Sequence, residues 1–451
     1  MQAKFDLMTE SMANTEQPAV TKPASGFAGT DIPAYDDYAH CVHCGLCLNS
    51  CPTYKLWGLE ADSPRGRIRQ IVLVDQGRLP LGDSFVKHID QCLDCRACET
   101  ACPSGVQYGK LVEAARAQIE QNYRRPFFSR LARNFVFRDL LPYPRRIAKL
   151  ARALYIYQQS GLQSLARASG VLRVFGLADR ERLLPPIDRE FFFSNLGRTY
   201  PPVGQRRARV ALFAGCIAQV SFSKLHEATI RVLTANGCEV VVPAGQTCCG
   251  ALAAHAGARD PARGLARTNL DVFLRGDFDA VITNAAGCGS TLKEYEHLFA
   301  AGSDEHARAV AFQKKMRDVT EFLADLGMTA PLANLPLRVT YQDSCHLLHG
   351  QKVREAPRQL LRAIPGVELV EMAMADYCCG SAGSYNVTET QTSLALLAEK
   401  MKYARATNAP VIVTANPGCL LQMRAGAEIH STGQEVLHVI ELLDRALVKN
   451  T

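Results

Sequence analysis

The stretch TCCGALAAHAG (247–257) returns as YCCGSAGSYNV (377–387), and this pair decides how the C-terminal half of the chain folds. Upstream of each copy lies a matching run, RVALFAGC (209–216) and RVTYQDSC (338–345). Downstream lies another, AVITNAAGC (280–288) and VIVTANPGC (411–419). The offsets from Cys216 to Cys345, Cys248 to Cys378 and Cys288 to Cys419 are 129, 130 and 131 residues. Three anchors drifting by one residue each mark a duplication. In each copy, short β-branched runs alternate with helical stretches such as Leu225–Ala235 and Pro261–Phe273. The runs are Arg209–Gly215, Glu239–Pro243 and Ala280–Asn284, then Arg338–Gln342, Val367–Met372 and Val411–Thr414. This alternation predicts a right-handed parallel α/β unit, whose ligands sit beyond the carboxyl ends of the strands. Every repeated cysteine falls at or just after such an end.

Two adjacent cysteines bind one tetrahedral ion poorly but can reach two irons of a cluster, and Gly250 and Gly380 let the backbone turn closely beneath it. The candidate ligands are Cys216, Cys248, Cys249 and Cys288, then Cys345, Cys378, Cys379 and Cys419, for one or two further iron–sulfur centres. The competing reading is redox-active thiols without metal. Cys238 has no counterpart in the second copy and reads as a small buried hydrophobe.

Further upstream, Cys41, Cys44, Cys47 and Cys51-Pro52 form C-x2-C-x2-C-x3-C-P, and Cys92, Cys95, Cys98 and Cys102-Pro103 repeat it. Three thiolates at these spacings wrap three corners of a [4Fe-4S] cubane, and the fourth cysteine of each run ligates the other cluster. One cluster would take Cys41, Cys44, Cys47 and Cys102, the other Cys92, Cys95, Cys98 and Cys51. Structural zinc is the competing reading, but it needs neither the third cysteine step nor the proline. Arg65, Arg67, Arg69 and Arg96 are candidates for positive charge near the sulfurs, against the plainer reading of solvated arginines. His43 reads as a packing residue.

The 451 residues leave room for several domains, and 47% hydrophobic with 21% charged residues describes a globular chain. Seventeen cysteines, an odd number in so long a chain, favour reduced thiols for metal over disulfides. Neither an export signal nor an apolar run of membrane-spanning length is present, which points to the cytoplasm. The net charge of +7 is concentrated between Gln121 and Leu184, where thirteen Arg or Lys face three acids. Within that segment Phe127, Phe128, Arg130, Leu131, Arg133, Phe135, Phe137 and Leu140 make an amphipathic basic helix, followed by a second at Ile147–Tyr157. Its apolar face either packs on the ferredoxin-type domain or a partner subunit, or lies on anionic lipid at the cytoplasmic membrane face. Helical spacing of the aromatics argues against nucleic acid.

The expected fold is α+β and multidomain, an α-helical two-cluster ferredoxin domain followed by two duplicated α/β CCG domains with short parallel sheets. The expected organisation is a disordered tail (1–34), the ferredoxin-type domain (35–115), a basic helical linker (116–207) and the CCG domains (208–335 and 336–451).

The motifs VHCGLCLNSCPTY (42–54), SPRGRI (63–68), CLDCRACETACPSGVQY (92–108), NAAGCGSTLKEY (284–295), CCGSAGSY (378–385) and VTANPGC (413–419) carry a resemblance. Over residues 38–451 the chain resembles the iron–sulfur subunits of respiratory hydroxy-acid and glycerol-phosphate dehydrogenases, and above all those of bacterial glycolate oxidase. The resemblance implies an electron-transfer subunit that takes electrons from an FAD-binding partner oxidising glycolate to glyoxylate and passes them toward a quinone-type acceptor. D-lactate or glycerol-3-phosphate as the substrate, or a CCG-type thiol–disulfide reductase, are the alternatives. In heterodisulfide reductases the CCG pattern carries a fifth cysteine; Thr291 and Gln422 stand there in this chain, which argues against that chemistry. No dinucleotide fingerprint and no catalytic triad occur, so hydride removal falls to a flavin on the partner.

Overall fold

The computed structural model describes residues 24–448. The ferredoxin-type unit is helical. Pro64–Asp75 starts at Ser63, whose hydroxyl accepts from the Gly66 N–H, and Pro64 occupies the first turn where no backbone donor is needed. A Cβ at Gly66 would collide with the carbonyl of Glu60, which explains the glycine of SPRGRI. Ile68, Ile71 and Val74 of this helix meet Phe85 and Ile89 and the helix Tyr108–Asn122 in one core.

Two expected boundaries move. Helix Tyr108–Asn122 places Leu111, Val112, Ala115 and Ile119 in the ferredoxin core, so the unit runs past 115. Residues 24–34, read as the end of a disordered tail, are packed: Phe27 is buried against Phe85, and the Gly26 N–H donates to Val74 O at 2.9 Å. One aromatic anchor and an ion pair from Asp31 to Arg263 outweigh the polar composition of that stretch. Residues 1–23 of the expected tail lie outside the described residues.

The linker is a run of helices, Phe127–Asn134 continuing as a wide turn through Leu140, then Pro144–Gln159, Leu162–Ala168, Val171–Val174 and Ala178–Arg182. The first sheet contains β1 (Thr199–Tyr200), β2 (Ala208–Leu212), β3 (Cys238–Val241), β4 (Ala280–Thr283) and β5 (Met316–Asp318), in the order β1-β3-β2-β4-β5. Only β1 runs antiparallel. The second contains β6 (Leu337–Tyr341), β7 (Val367–Glu371), β8 (Val411–Thr414) and β9 (Glu435–His438), ordered β7-β6-β8-β9 and wholly parallel.

Order for order, β3-β2-β4-β5 matches β7-β6-β8-β9, so the duplication extends to a fourth strand that the sequence pattern did not reveal. β5 and β9 are short and carry charge, and periodicity is mute over three or four residues. Each feeds a helix through a capping box, Asp318 with Glu321 and His438 with Glu441. The two halves also exchange helices. Ser223–Ala235 of the first packs on Val439–Ala446 of the second, and Val319–Leu326 of the first packs on Glu355–Arg362 of the second. Val210, Leu212 and Ile282 therefore share one hydrophobic core with Val339, Val411 and Val436.

Candidate metal centres

In both ferredoxin runs the backbone curls around a cavity by visiting the left-handed region at the same positions, His43 and Gly45 in one, Asp94 and Arg96 in the other. The first cavity is lined by Cys41, Cys44, Cys47 and Cys102, and also by Cys98. The second is lined by Cys51, Cys92, Cys95 and Cys98. The chain thus brings together the two crossed sets of thiols expected from the spacing. None of the cysteines of the described residues is in a disulfide.

The candidate charges separate. Arg67 is 1% exposed and borders the second cavity, donating to His88 O at 2.7 Å and Thr53 Oγ1 at 3.2 Å. Arg96 borders the same cavity, and Arg65 the first, where it donates to His43 O at 3.3 Å. Arg69 is exposed and borders neither. His43, expected to pack, is exposed: the first run lies at the surface, whereas the equivalent left-handed residue of the second, Asp94, is buried.

All eight repeated cysteines of the CCG halves, Cys216, Cys248, Cys249, Cys288, Cys345, Cys378, Cys379 and Cys419, line one cavity of about 240 Å³. It lies beyond the carboxyl ends of the strands, where helices Ala286–Leu292 and Pro417–Ile429 start. Cys249 and Cys288 are 3.1 Å apart at sulfur. The CCG glycines are in the left-handed region, and a Cβ at Gly380 would collide with the Ser393 carbonyl. Cys238 is fully buried in the core on β3, away from the cavity, as a small hydrophobe. The Thr291 hydroxyl donates to Gly287 O, and the Gln422 amide N–H donates to Ser393 Oγ.

The donor set fits iron–sulfur clusters. Burial, with neighbouring thiols, pushes Cys95 and Cys98 well above the ordinary thiol range. Thiols gathered in this way ionise only against a cationic core, which is what a cluster or metal supplies.

Sequence reasoning missed the polar layer between the ferredoxin unit and the CCG halves. His255, six residues after Cys249 and the last residue of helix Ala251–His255, hydrogen-bonds Glu113 at 2.7 Å and ion-pairs with Asp94 at 3.2 Å. Burial alone would push His255 down, but these two carboxylates outweigh it and raise it to about 9. Arg259 pairs with Glu113 at 3.3 Å, and the His255 ring lies 5.1 Å from that of His346. Arg96, 5% exposed, stands between Asp94, Glu113 and Glu294 and bonds Glu294 directly. Its partners lie up to 198 residues away, so no local spacing could announce them. Arg96→Met would strand the buried carboxylates Asp94 and Glu113 and the partly exposed Glu294, facing Arg259 and His255 alone. A loss of about 3–5 kcal/mol is expected, read as a lowered denaturation midpoint; an unchanged midpoint would mean that water reaches this layer.

The layer also carries apolar contact. Leu93 lines both the second ferredoxin cavity and the CCG cavity, and Cys95 clusters with Tyr377, Cys378 and Tyr385.

A two-motif ferredoxin unit fused to a duplicated cysteine-rich domain defines an iron–sulfur protein of the electron-carrying class. Residues 37–106 match the 4Fe-4S dicluster domain, 210–293 and 339–424 the cysteine-rich CCG domain, and 128–184 the glycolate oxidase iron-sulfur subunit linker region. The chain is 42% identical over 90% of its length to the probable glycolate oxidase iron-sulfur subunit of Bacillus subtilis, covering 93% of that protein. It is 33% identical over 91% of its length to the glycolate oxidase iron-sulfur subunit of Escherichia coli, covering 94% of it. To the lactate utilization protein A of Oceanobacillus iheyensis it is 31% identical over 52% of its length, covering 96% of that protein. The chain belongs to the family of glycolate oxidase iron–sulfur subunits. Among the described residues no helix is long and apolar enough to cross a membrane.

Proposed function

We propose that this chain is the electron-transfer subunit of an FAD-linked glycolate-oxidising complex, whose partner subunit converts glycolate to glyoxylate and whose acceptor is a membrane quinone. In this reading Cys41, Cys44, Cys47 and Cys102 hold one cubane, and Cys51, Cys92, Cys95 and Cys98 the other. The eight CCG cysteines hold at least one further centre. Iron–sulfur clusters bound there supply single-electron storage between a two-electron flavin and the acceptor.

The order of the cavities carries the reading. The first ferredoxin cavity opens at the surface, where Cys44 is exposed between exposed Val42 and Leu46, an apolar rim suited to a donor subunit. It shares Pro64, Cys98 and Tyr108 with the second cavity, which shares Leu93 with the CCG cavity. A metal-free thiol reductase would have no need of such a series. The match at 128–184 favours glycolate over lactate, because the lactate utilization relative spans only half of this chain.

The linker supports a peripheral seat on the cytoplasmic membrane face. Phe128 is 81% exposed, and Phe127, Leu131 and Phe135 are exposed beside it. Arg133 is not free for lipid; it is held by Glu120 at 2.7 Å and by Ala256 O at 2.7 Å. Arg130→Glu should weaken co-sedimentation with anionic vesicles about tenfold and leave neutral vesicles unaffected. Equal loss with both would assign this face to a partner subunit.

The functional reading is tested on the complex purified through this chain. A flavin-containing subunit should co-purify, and glycolate should bleach the iron–sulfur absorption of this subunit. Bleaching by D-lactate but not by glycolate would overturn the substrate assignment.

A further inference from the structure

An offset of 51 residues takes Cys41 to Cys92 and Cys51 to Cys102, so the two ferredoxin runs are sequence equivalents. Their sulfurs are nevertheless served differently. Tyr108 is 3% exposed and lines both ferredoxin cavities. Its hydroxyl donates to Cys92 Sγ at 3.5 Å, a ligand position of the second cavity. The residue that the same offset sets against Tyr108 is Trp57, which ends helix Pro52–Trp57 and is 52% exposed.

A second hydroxyl stands at Cys51. Thr53 is buried, lines the second cavity, and holds its Oγ1 3.3 Å from Cys51 Sγ. Nη1 and Nη2 of Arg67 both donate to Thr53 Oγ1, each at 3.2 Å. With its two lone pairs taken by these N–H groups, the hydroxyl is left to act as a donor. The acceptors within its reach are Asp62 O at 2.7 Å and Cys51 Sγ. A thiol at Cys51 can donate in turn, but a thiolate ligand can only accept, and then the Thr53 proton is the one that serves it. Arg67 itself is matched by Asp62 at 3.4 Å and donates to His88 O, so the group presented to the sulfur is the hydroxyl. At the first cavity Ser104 holds the position equivalent to Thr53, and the bordering arginine, Arg65, bonds Glu60 and His43 O instead of a hydroxyl.

We propose that Tyr108 and Thr53 raise the reduction potential of the cubane held by Cys51, Cys92, Cys95 and Cys98, acting through two of its ligand sulfurs. Burial of these four thiols works against reduction, because an added electron increases negative charge in a region of low dielectric. A hydrogen bond to a ligand sulfur strengthens as that sulfur gains charge, so each hydroxyl stabilises the reduced form more than the oxidised one. The two hydroxyls thus offset part of the cost of burial and keep the inner centre reducible from the outer one, whose Cys44 is exposed. Both are positioning residues, since neither moves a proton or touches the substrate of the complex. This inference rests on the crossed assignment of two cubanes, and adds which side chains set the potential of the inner one.

The test is a potentiometric titration of the full-length protein in its complex, read by paramagnetic resonance. The signal of the inner cubane is the one lost in Cys51→Ser. Tyr108→Phe removes one oxygen and leaves the ring in place; Thr53→Val removes the other hydroxyl at similar volume. At the wild-type midpoint, the ratio of reduced to oxidised inner cubane should fall about fivefold in each variant. Thr53→Ser, which keeps the hydroxyl, should retain the wild-type ratio, and the midpoint of the outer cubane should stay in place throughout. An unchanged inner midpoint in either Tyr108→Phe or Thr53→Val overturns the role of that residue. A shift of the outer cubane equal to that of the inner one overturns the inference, and so does a shift in Thr53→Ser as large as in Thr53→Val, which would mark a packing effect. The wild-type spectrum separates the two levels. Two cubane signals whose midpoints ignore these substitutions defeat only this inference; a single cubane signal in the fully reconstituted wild-type protein defeats the assignment beneath it.

Discussion

Cys51→Ser is expected to remove one cubane and spare the other. Cys51 lies in the chain next to Cys47, yet it faces the cavity of Cys92, Cys95 and Cys98. The chain turns there: Cys51 is in extended backbone, and Pro52 starts the helix Pro52–Trp57 that leads away from the first cavity. A serine alcohol ionises far less readily than a thiol, so it is a poor replacement ligand in a buried site. Iron should fall by about four atoms per chain. Paramagnetic resonance of the reduced protein should lose the signal of the buried cluster and keep that of the exposed one. Glycolate-driven reduction of the acceptor should drop on the order of 100-fold or more, since removal of even a supporting partner of a ligand costs 10–100-fold. Perturbation of only the cluster of Cys41, Cys44 and Cys47 would show the crossed assignment to be wrong.

Cys379→Ser, and separately Cys249→Ser, should abolish a third set of iron–sulfur signals. Two cubanes account for about eight iron atoms per chain, so a fully reconstituted sample should hold more. The expectation rests on the eight thiols that line one cavity between the halves. Cys378 and Cys379 are buried, as are Cys248 and Cys249, and the cavity wall is built from both copies, so a substitution in one half should disturb a centre seen by the other. Acceptor reduction should fall by a similar order of 100-fold, with the ferredoxin signals intact. A count of eight irons with unchanged spectra in both variants would make these thiols metal-free.

The linear chain determined what is local. The offsets of 129, 130 and 131 residues disclosed the duplication, and cysteines after β-branched runs had to stand at strand ends. The crossed ferredoxin sets followed because a C-x2-C-x2-C-x3-C-P run of a few residues can wrap only so many corners of a cubane. These are statements about neighbours in sequence, where bond geometry leaves few choices. Tertiary packing decided the rest. Phe27, in a stretch of polar composition, is ordered because Phe85 is there to receive it. β5 and β9 are too short for a periodic signal and exist because β4 and β8 offer them free edges. Arg96 is legible as a charge in a cluster motif, but its role depends on Glu113 and Glu294, brought to it from two other elements. The eight CCG thiols form two sets of four in the duplication, and their place at strand ends in both copies predicts that the two halves face each other. They converge on one cavity because each half lends its terminal helix to the other, so the open ends of the two sheets close on a common space.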